Sequence, residues 1–258
     1  MIDLRHGDCL EVMPTLEAGS IDLTVTSPPY DNLRTYNDSL EWGEHVWKPV
    51  LENLYRLTKD GGVVVWIVGD ATIKGSETGT SFKQALYAKE CGFRLHDTMI
   101  WQKPGFSAVG ALATRYAPVF EYMFVFSKGK LSAFNPIKDR KNKISGTTQS
   151  RIRLADGTLR MNKKRIRRER GQRFNIWRVA PVQSNSDHPA KFPESLARDH
   201  VISWSNEGDT VFDPFLGSGT TGKMALEQGR NFIGIEKDAE YFEIAKRRIE
   251  STDTNLFK

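Results

Sequence analysis

Apolar and polar residues follow two different periods along this chain. Short runs rich in β-branched and aromatic residues predict strands at 2–6, 21–26, 63–68, 93–101, 120–126, 210–212 and 231–236. Apolar residues that recur every three or four positions predict helices at 9–16, 45–57, 81–91, 194–204, 220–228 and 239–250. Because strands and helices alternate, we predict an α/β fold. We expect this fold to be Rossmann-like, with a doubly wound and mostly parallel sheet of seven strands, helices on both of its faces, and a small basic insertion.

Composition narrows the class of protein. The chain has 258 residues, of which 39% are hydrophobic, so one core domain with an insertion is expected. The longest unbroken aliphatic and aromatic run, 63–68, is too short to cross a bilayer, and the first residues lack the pattern of a signal peptide. Cys9 and Cys91 are not in a metal-ligand spacing, which favours a reducing compartment. We expect a cytoplasmic protein with no membrane association.

The positive charge is concentrated in one segment. Residues 138–178 contain fifteen lysines and arginines and three acids, a net charge of +12. The whole chain is net +5, so the remainder is net −7. An acidic body with one basic segment is typical of proteins that bind a phosphate backbone. A solvated charged loop or a partner-binding tail is the alternative.

Two loops at predicted strand ends carry candidate chemistry. The first, 213–221, reads Asp-Pro-Phe-Leu-Gly-Ser-Gly-Thr-Thr, and its glycines allow a ligand to approach the backbone closely. Thr220 or Thr221 could cap the next helix and leave amide groups facing that ligand. Glu236 ends the following strand, where an acid can accept hydrogen bonds from ribose hydroxyls. A triphosphate loop is the alternative, but its magnesium-binding serine or threonine is replaced by Met224.

The second loop, 26–30, reads Thr-Ser-Pro-Pro-Tyr and follows an apolar strand. Two adjacent prolines make the chain stiff. The carbonyl groups of Ser27 and Pro28 and the Ser27 hydroxyl can accept hydrogen bonds, and Tyr30 adds an aromatic face. Acceptors beside a stacking surface suit the amino group of a planar base.

These two loops resemble the motifs of the amino-methylating DNA methyltransferases. Their order, with Ser-Pro-Pro-Tyr first and the glycine loop near the C-terminus, resembles the β class of that family. Segment 188–196 is a third match, which resembles the family's segment at the methionine end of the cofactor. Segment 7–11 is a weaker match, whose acid in relatives faces the adenine. Many relatives have Gln-Lys-Pro where this chain has Lys-Phe-Pro at 191–193.

The resemblance implies S-adenosylmethionine as the cofactor, no metal, and roles for particular residues. The implied catalytic residues are Ser27, Pro28, Pro29 and Tyr30. The implied cofactor-binding residues are Asp8, Lys191, Phe192, Asp213, Phe215, Gly217, Ser218, Gly219, Thr220, Thr221 and Glu236. It also implies three parts of the chain: a catalytic half (1–133), a target-recognition insertion (134–183) and a cofactor-binding half (184–258). We predict phosphate contacts from Lys163, Lys164, Arg167 and Arg168 in the insertion.

The predicted reaction is methyl transfer to cytosine N4 in duplex DNA, with the target base flipped out of the helix. Adenine N6 is the runner-up, since serine at position 27 is by resemblance more usual in cytosine enzymes. Carbon methylation needs a cysteine nucleophile, normally after a proline, and neither cysteine follows one. An RNA methyltransferase, a protein amide methyltransferase and a non-catalytic DNA-binding module rank lower. A restriction endonuclease partner, and a monomeric or homodimeric state, stay open.

Overall fold

The computed structural model describes residues 1–29, 42–105, 114–182 and 193–252. The chain forms two compact units. The core unit comprises Met1–Asn135 and Asn175–Lys258, and the hairpin unit comprises Pro136–Phe174. The hairpin unit is shorter than the predicted insertion, 134–183. The difference arises because residues 176–178 pair with a strand of the core unit.

An eight-stranded sheet forms the centre of the core unit. Its strands are β1 (Ile2–His6), β2 (Ile21–Thr26), β3 (Thr58–Val68), β4 (Arg94–Gln102), β5 (Phe120–Ser127), β6 (Ile176–Arg178), β7 (Thr210–Asp213) and β8 (Asn231–Glu236). Their order is β1-β8-β7-β2-β3-β5-β4-β6, and β5 alone among them runs antiparallel. The predicted α/β fold is confirmed, with eight strands rather than seven. The extra strand, β6, has three residues and is held by the buried Trp177, which stacks on His200.

Helices cover both faces of this sheet. They are α1 (Cys9–Val12), α2 (Glu44–Leu57), α3 (Thr80–Glu90), α4 (Glu194–Trp204), α5 (Thr220–Glu227) and α6 (Ala239–Glu250). On β3, Val64 and Trp66 pack in the same cluster as residues of α2 and α3. Their neighbours are buried too, so the strand is apolar on both faces, as in a covered parallel sheet.

The predicted helix 9–16 is shorter in the structure. It is α-helical at Cys9–Val12 and continues as a 3₁₀ turn at Met13–Thr15. Pro14 explains the change because a proline has no N–H to donate to the carbonyl four residues earlier. Within the described ranges, no helix is both long enough and apolar enough to span a membrane.

The strand order reverses between β2 and β7. These two strands are neighbours, but the chain leaves β2 towards β3 and leaves β7 towards β8, on opposite sides. In open α/β sheets a crevice forms where the order reverses, outside the carboxyl ends of the strands. The loops that start at Ser27 and Pro214 follow β2 and β7 at this point.

The hairpin unit is one long antiparallel hairpin. Three short pairs nest inside one another: Arg140–Lys141 with Arg170–Gly171, Gly146–Thr148 with Arg165–Arg167, and Arg151–Arg153 with Leu159–Met161. The chain reverses at Asp156 and Gly157. The Asp156 carboxylate accepts hydrogen bonds from Thr158, and Gly157 has a φ of +83° that favours glycine. Sequence periodicity did not reveal this hairpin because its strands have two or three residues each and charged residues occupy half of the paired positions.

Candidate functional site

Two buried hydrogen bonds join the loops at the reversal of strand order. The Thr26 hydroxyl, at the end of β2, donates to Asp213 Oδ1 at 2.7 Å. The Thr221 hydroxyl donates in the other direction, to the carbonyl of Val25 at 3.1 Å. Neither Thr26 nor the carbonyl of Val25 was singled out from the sequence. These bonds fix the Ser-Pro-Pro loop against the glycine loop, although about 190 residues of chain separate them.

Asp213 is buried at the bottom of this junction, with 1% of its surface exposed. Burial raises the pKa of Asp213 to about 7, although hydrogen bonds from the Thr26 hydroxyl and the Phe215 N–H oppose the shift. The charge of Glu236 adds to the increase. Asp213 therefore joins the two loops through neutral donors, the Thr26 hydroxyl and the Phe215 N–H.

The raised pKa predicts a stability difference that depends on pH. A carboxyl whose folded-state pKa exceeds its unfolded value stabilises the fold below the unfolded pKa and loses that contribution as pH rises through the folded pKa. We therefore expect Asp213→Asn to equal wild type near pH 4 and to unfold several degrees higher at pH 8, since about 1 kcal/mol shifts the midpoint by about 2–4 °C in a chain of this size. Thermal unfolding without ligand at pH 4 to 8 measures the difference. The exposed Asp60→Asn is the control, and a pH-independent gap for Asp213→Asn contradicts the prediction.

Glu236 lies beside the glycine loop at the end of β8. Its Oε2 accepts the N–H of Gly217 at 2.7 Å, and its Oε1 accepts the N–H of Asp238 at 2.9 Å. Burial raises the pKa of Glu236 despite these bonds. Each carboxylate oxygen has two lone pairs, so each can accept one further hydrogen bond. The carboxylate is thus held in place with acceptor capacity left for a diol.

The glycine loop adopts a conformation that requires its glycines. Gly217 and Gly219 have φ values of +53° and +79°. The cap of α5 is Gly219 rather than Thr220 or Thr221, so that expectation was wrong. The two threonine hydroxyls point elsewhere, since Thr221 bonds to Val25 and Thr220 accepts from Arg248. Gly219 also lies close to α6, where an added Cβ would come within 3.2 Å of Ala245.

An aromatic wall lines the start of the glycine loop. The ring of Phe215 makes edge contacts with Trp66 of β3 and with Trp42, whose centroid is 5.7 Å away. The Trp42 indole N–H is buried and has no hydrogen-bond partner within the described ranges. A buried donor without a partner is costly, so a polar ligand atom at this wall would relieve it.

The remaining predicted site residues either follow a strand at its carboxyl end or lie outside the described residues. Ser27 is partly exposed after β2, followed by Pro28 and Pro29. Asp8 follows β1, where it caps α1 through the Leu10 N–H and pairs with Lys237 at 3.0 Å. Tyr30, Lys191 and Phe192 lie outside the described residues.

The two cysteines are poor nucleophiles. Burial, helped by the charge of Asp8, raises the pKa of Cys9 to about 12. Burial and the charge of Glu52 raise the pKa of Cys91 to about 11. A thiol reacts as the thiolate, so neither side chain is suited to covalent attack at neutral pH.

The triphosphate alternative loses support at Lys223. In a triphosphate loop this lysine reaches the phosphates. Here its Nζ pairs with Glu194 at 2.9 Å and lies 3.7 Å from Glu227, while the neighbouring Met224 is buried. The side chain is held by two acids of the protein.

The hairpin unit presents its charge to solvent. It contains fourteen lysines and arginines and three acids. Asp139 pairs with Arg173 and Asp156 bonds to the turn, so two of the three acids have protein partners. Lys163, Lys164, Arg167 and Arg168 are exposed, and none of them forms an ion pair in this unit, all of whose residues are described.

Comparison with known proteins identifies the family. The N6_N4_Mtase family, described as DNA methylase, matches residues 21–247. The chain belongs to this DNA methylase family. The methylase is 52% identical over 244 residues to the orphan methyltransferase M.BamHII of Bacillus amyloliquefaciens, an alignment that covers 90% of this chain and 89% of that protein.

Solved structures extend the comparison. The methylase is similar to the M1.HpyAVI–SAM complex, with 25% identity, a TM-score of 0.64, and coverage of 96% of this chain and 99% of that one. PvuII DNA methyltransferase, described as cytosine-N4-specific, has the same fold, with a TM-score of 0.72, 22% identity and coverage of 99% and 89%. The methylase is thus an S-adenosylmethionine-dependent enzyme that methylates cytosine N4 or adenine N6 of duplex DNA.

The residues at the reversal of strand order fit this cofactor. Glu236 offers two acceptors for a ribose, and the wall of Phe215 and Trp42 offers an apolar surface with one unpartnered N–H. The nearby acids, Asp213 and Glu236, would repel a polyphosphate but tolerate a nucleoside whose tail is cationic at sulfur.

Proposed function

We propose that the methylase transfers a methyl group to cytosine N4 in duplex DNA. The observation that carries the proposal is Ser27 at the reversal of strand order, because the family resemblance associates serine at this position with cytosine enzymes. We assign the catalytic role to Ser27, Pro28, Pro29 and Tyr30. We assign cofactor binding to Asp8, Lys191, Phe192, Asp213, Phe215, Gly217, Ser218, Gly219, Thr220, Thr221 and Glu236.

Orientation by fixed acceptors accounts for the chemistry. An exocyclic amine is a weak nucleophile because its lone pair is delocalised into the ring. The Ser27 hydroxyl and the carbonyl oxygens of Ser27 and Pro28 hold its hydrogens and favour a pyramidal nitrogen. The bound cofactor supplies an electrophilic methyl group on a sulfonium. The nitrogen lone pair forms the new N–C bond as the C–S bond breaks, and one amino proton leaves to solvent.

The stiff Pro-Pro pair supports this role. A preorganised acceptor costs no reorganisation at the moment of reaction, which is why fixed dipoles stabilise a transition state better than mobile ones do. Pro28 is buried, and the preceding Thr26 is tied to Asp213. The acceptors therefore follow directly after the end of β2, and the hydrogen bond from Thr26 to Asp213 ties this strand end to the glycine loop.

We propose that the hairpin unit contacts the DNA backbone through Lys163, Lys164, Arg167 and Arg168. Exposed cations without acidic partners are the side chains that neutralise phosphates. Contacts of this kind fix the position and orientation of the duplex on the protein. The target base must then leave the base stack, at a cost of a few kcal/mol. Stacking on Tyr30 would recover part of that cost, about 1–3 kcal/mol per base on single-strand platforms.

Nucleoside analysis tests the choice of base. Duplex DNA is methylated by the purified chain and digested, and the nucleosides are separated by mass spectrometry. We expect N4-methylcytosine in the digest, and we expect it to form when no restriction endonuclease is present in the methylation reaction. N6-methyladenine alone would overturn the base assignment and leave the enzyme class standing.

A further inference from the structure

Three charged side chains connect the glycine loop to α4 and α6. Arg248 of α6 donates from Nη1 to the carbonyl oxygen of Ser218 at 3.0 Å and to its hydroxyl at 3.1 Å. Its Nη2 donates to Glu194 Oε1, at the start of α4, at 2.6 Å. Lys223 of α5 donates to the same Glu194 oxygen at 2.9 Å. We call Arg248, Glu194 and Lys223 the loop clamp.

The clamp accounts for the order of a loop whose sequence favours mobility. Glycine loses more conformational freedom on folding than any other residue, and this loop has glycines at 217 and 219. The Gly217 N–H is held by Glu236, and the Gly219 N–H is held by the carbonyl of Leu216. Arg248 donates to the carbonyl of Ser218, for which no other donor is found among the described residues.

The Ser218 amide is among the loop amides that are left for a ligand. The N–H of Ser218 makes no hydrogen bond within the described ranges, although its side chain is buried. The peptide groups before and after this amide are both fixed, by Glu236 and by Arg248. The orientation of the Ser218 N–H is therefore set from both sides.

We propose that Arg248 is a positioning residue for S-adenosylmethionine. It holds Ser218 so that the free N–H faces the bound cofactor, and Glu194 holds the guanidinium in place from α4. The inference rests on the proposed function, in which this loop binds the cofactor. Arg248 itself acts through Ser218 and touches no reacting atom. Arginine suits the task because its planar fork donates to the loop and to a carboxylate at once.

Cofactor affinity without DNA tests the clamp. Titration calorimetry is run with S-adenosylmethionine on Arg248→Ala and Arg248→Lys. The control is Arg247→Ala, because Arg247 is exposed on the same helix and bonds only to the carbonyl of Glu243 among the described residues. We expect Arg248→Ala to raise the Kd at least about tenfold, which corresponds to the loss of a hydrogen bond from a charged donor. The Kd of Arg248→Lys should lie between those of wild type and Arg248→Ala, and the Kd of the control should equal that of wild type.

Two further readouts separate positioning from simple stabilisation. Hydrogen exchange of the ligand-free protein should be faster across the glycine loop in Arg248→Ala than in Arg247→Ala. The kcat at saturating cofactor should stay within about twofold of wild type, since only binding is affected. An unchanged Kd in a folded Arg248→Ala, whatever its thermal stability, overturns the proposal. If that variant does not fold, Arg248→Lys and Glu194→Gln decide by the same measurement.

The outcome is separable from that of the proposed function. A wild-type chain that makes N6-methyladenine contradicts the base assignment and leaves the clamp intact. If a folded Arg248→Ala binds the cofactor as tightly as wild type, the role of the clamp is contradicted and the base assignment is unaffected.

Discussion

The single-turnover rate of methyl transfer should fall by about 100-fold to 1,000-fold in Ser27→Ala, the loss typical when one preorganised hydrogen-bonding group is removed from a transition state. The two carbonyl acceptors remain, so some activity should persist. Affinities for S-adenosylmethionine and for duplex DNA should change little, because in the proposed mechanism the hydroxyl orients the amino group of the target base. A single-turnover measurement is needed because product release can mask a change in the chemical step.

Ser20→Ala is a matched control for this variant. Ser20 precedes β2, at the end of the strand away from the site, and its hydroxyl donates to the carbonyl of Glu17. The same side-chain atom is therefore removed from the opposite end of one strand. Wild-type single-turnover rates in a folded Ser27→Ala would falsify the assignment of Ser27 as a catalytic acceptor.

DNA binding should become much less sensitive to salt when Lys163, Lys164, Arg167 and Arg168 are all replaced by alanine. Each phosphate contact contributes about 0.9 to the slope of log K against log salt, so losing four contacts should reduce that slope by about 3 to 4. The loss should be similar for all DNA sequences, because phosphates carry no sequence information. Fluorescence anisotropy over 50–200 mM salt measures both effects.

A second quadruple variant separates local contacts from net charge. Lys89, Arg94, Lys130 and Arg247 are exposed residues of the core unit, each near the amino end of a parallel strand or in the last turn of α6. Replacing these four by alanine changes the net charge by the same amount. The prediction fails if both quadruple variants flatten the salt dependence equally.

The sequence was most informative where periodicity and end signals agree. The bounds of β1, β2, β8, α4 and α6 match the predicted ranges to the residue. Helix α6 shows why: Asp238 before it accepts from the N–H groups of Glu240 and Tyr241, and arginines occupy its last turn. The order of the motifs also predicted the family and the cofactor correctly.

Contacts across the fold were beyond the sequence. Arg248 and Ser218 are 30 residues apart, and nothing in an exposed-looking Lys-Arg-Arg run distinguishes the arginine that turns towards the loop. The pairing of Thr26 with Asp213 likewise depends on strand order. Strand β6 was missed because three residues give no measurable alternation, and its position depends on Trp177 packing against a distant helix.

The pairing of β1 has a consequence for biosynthesis. Ile2–His6 lies in register with residues 232–236, so this strand has no partner during the interval in which the chain is made as far as these residues. At about 5–20 residues per second, that interval lasts on the order of tens of seconds. Strand β2 meets its neighbour β3 far sooner, whereas its other neighbour, β7, also arrives late. Until residues 210–236 have been made, one edge of β1 and one edge of β2 therefore lack their partner strands, and the loops at the reversal of strand order come together only then.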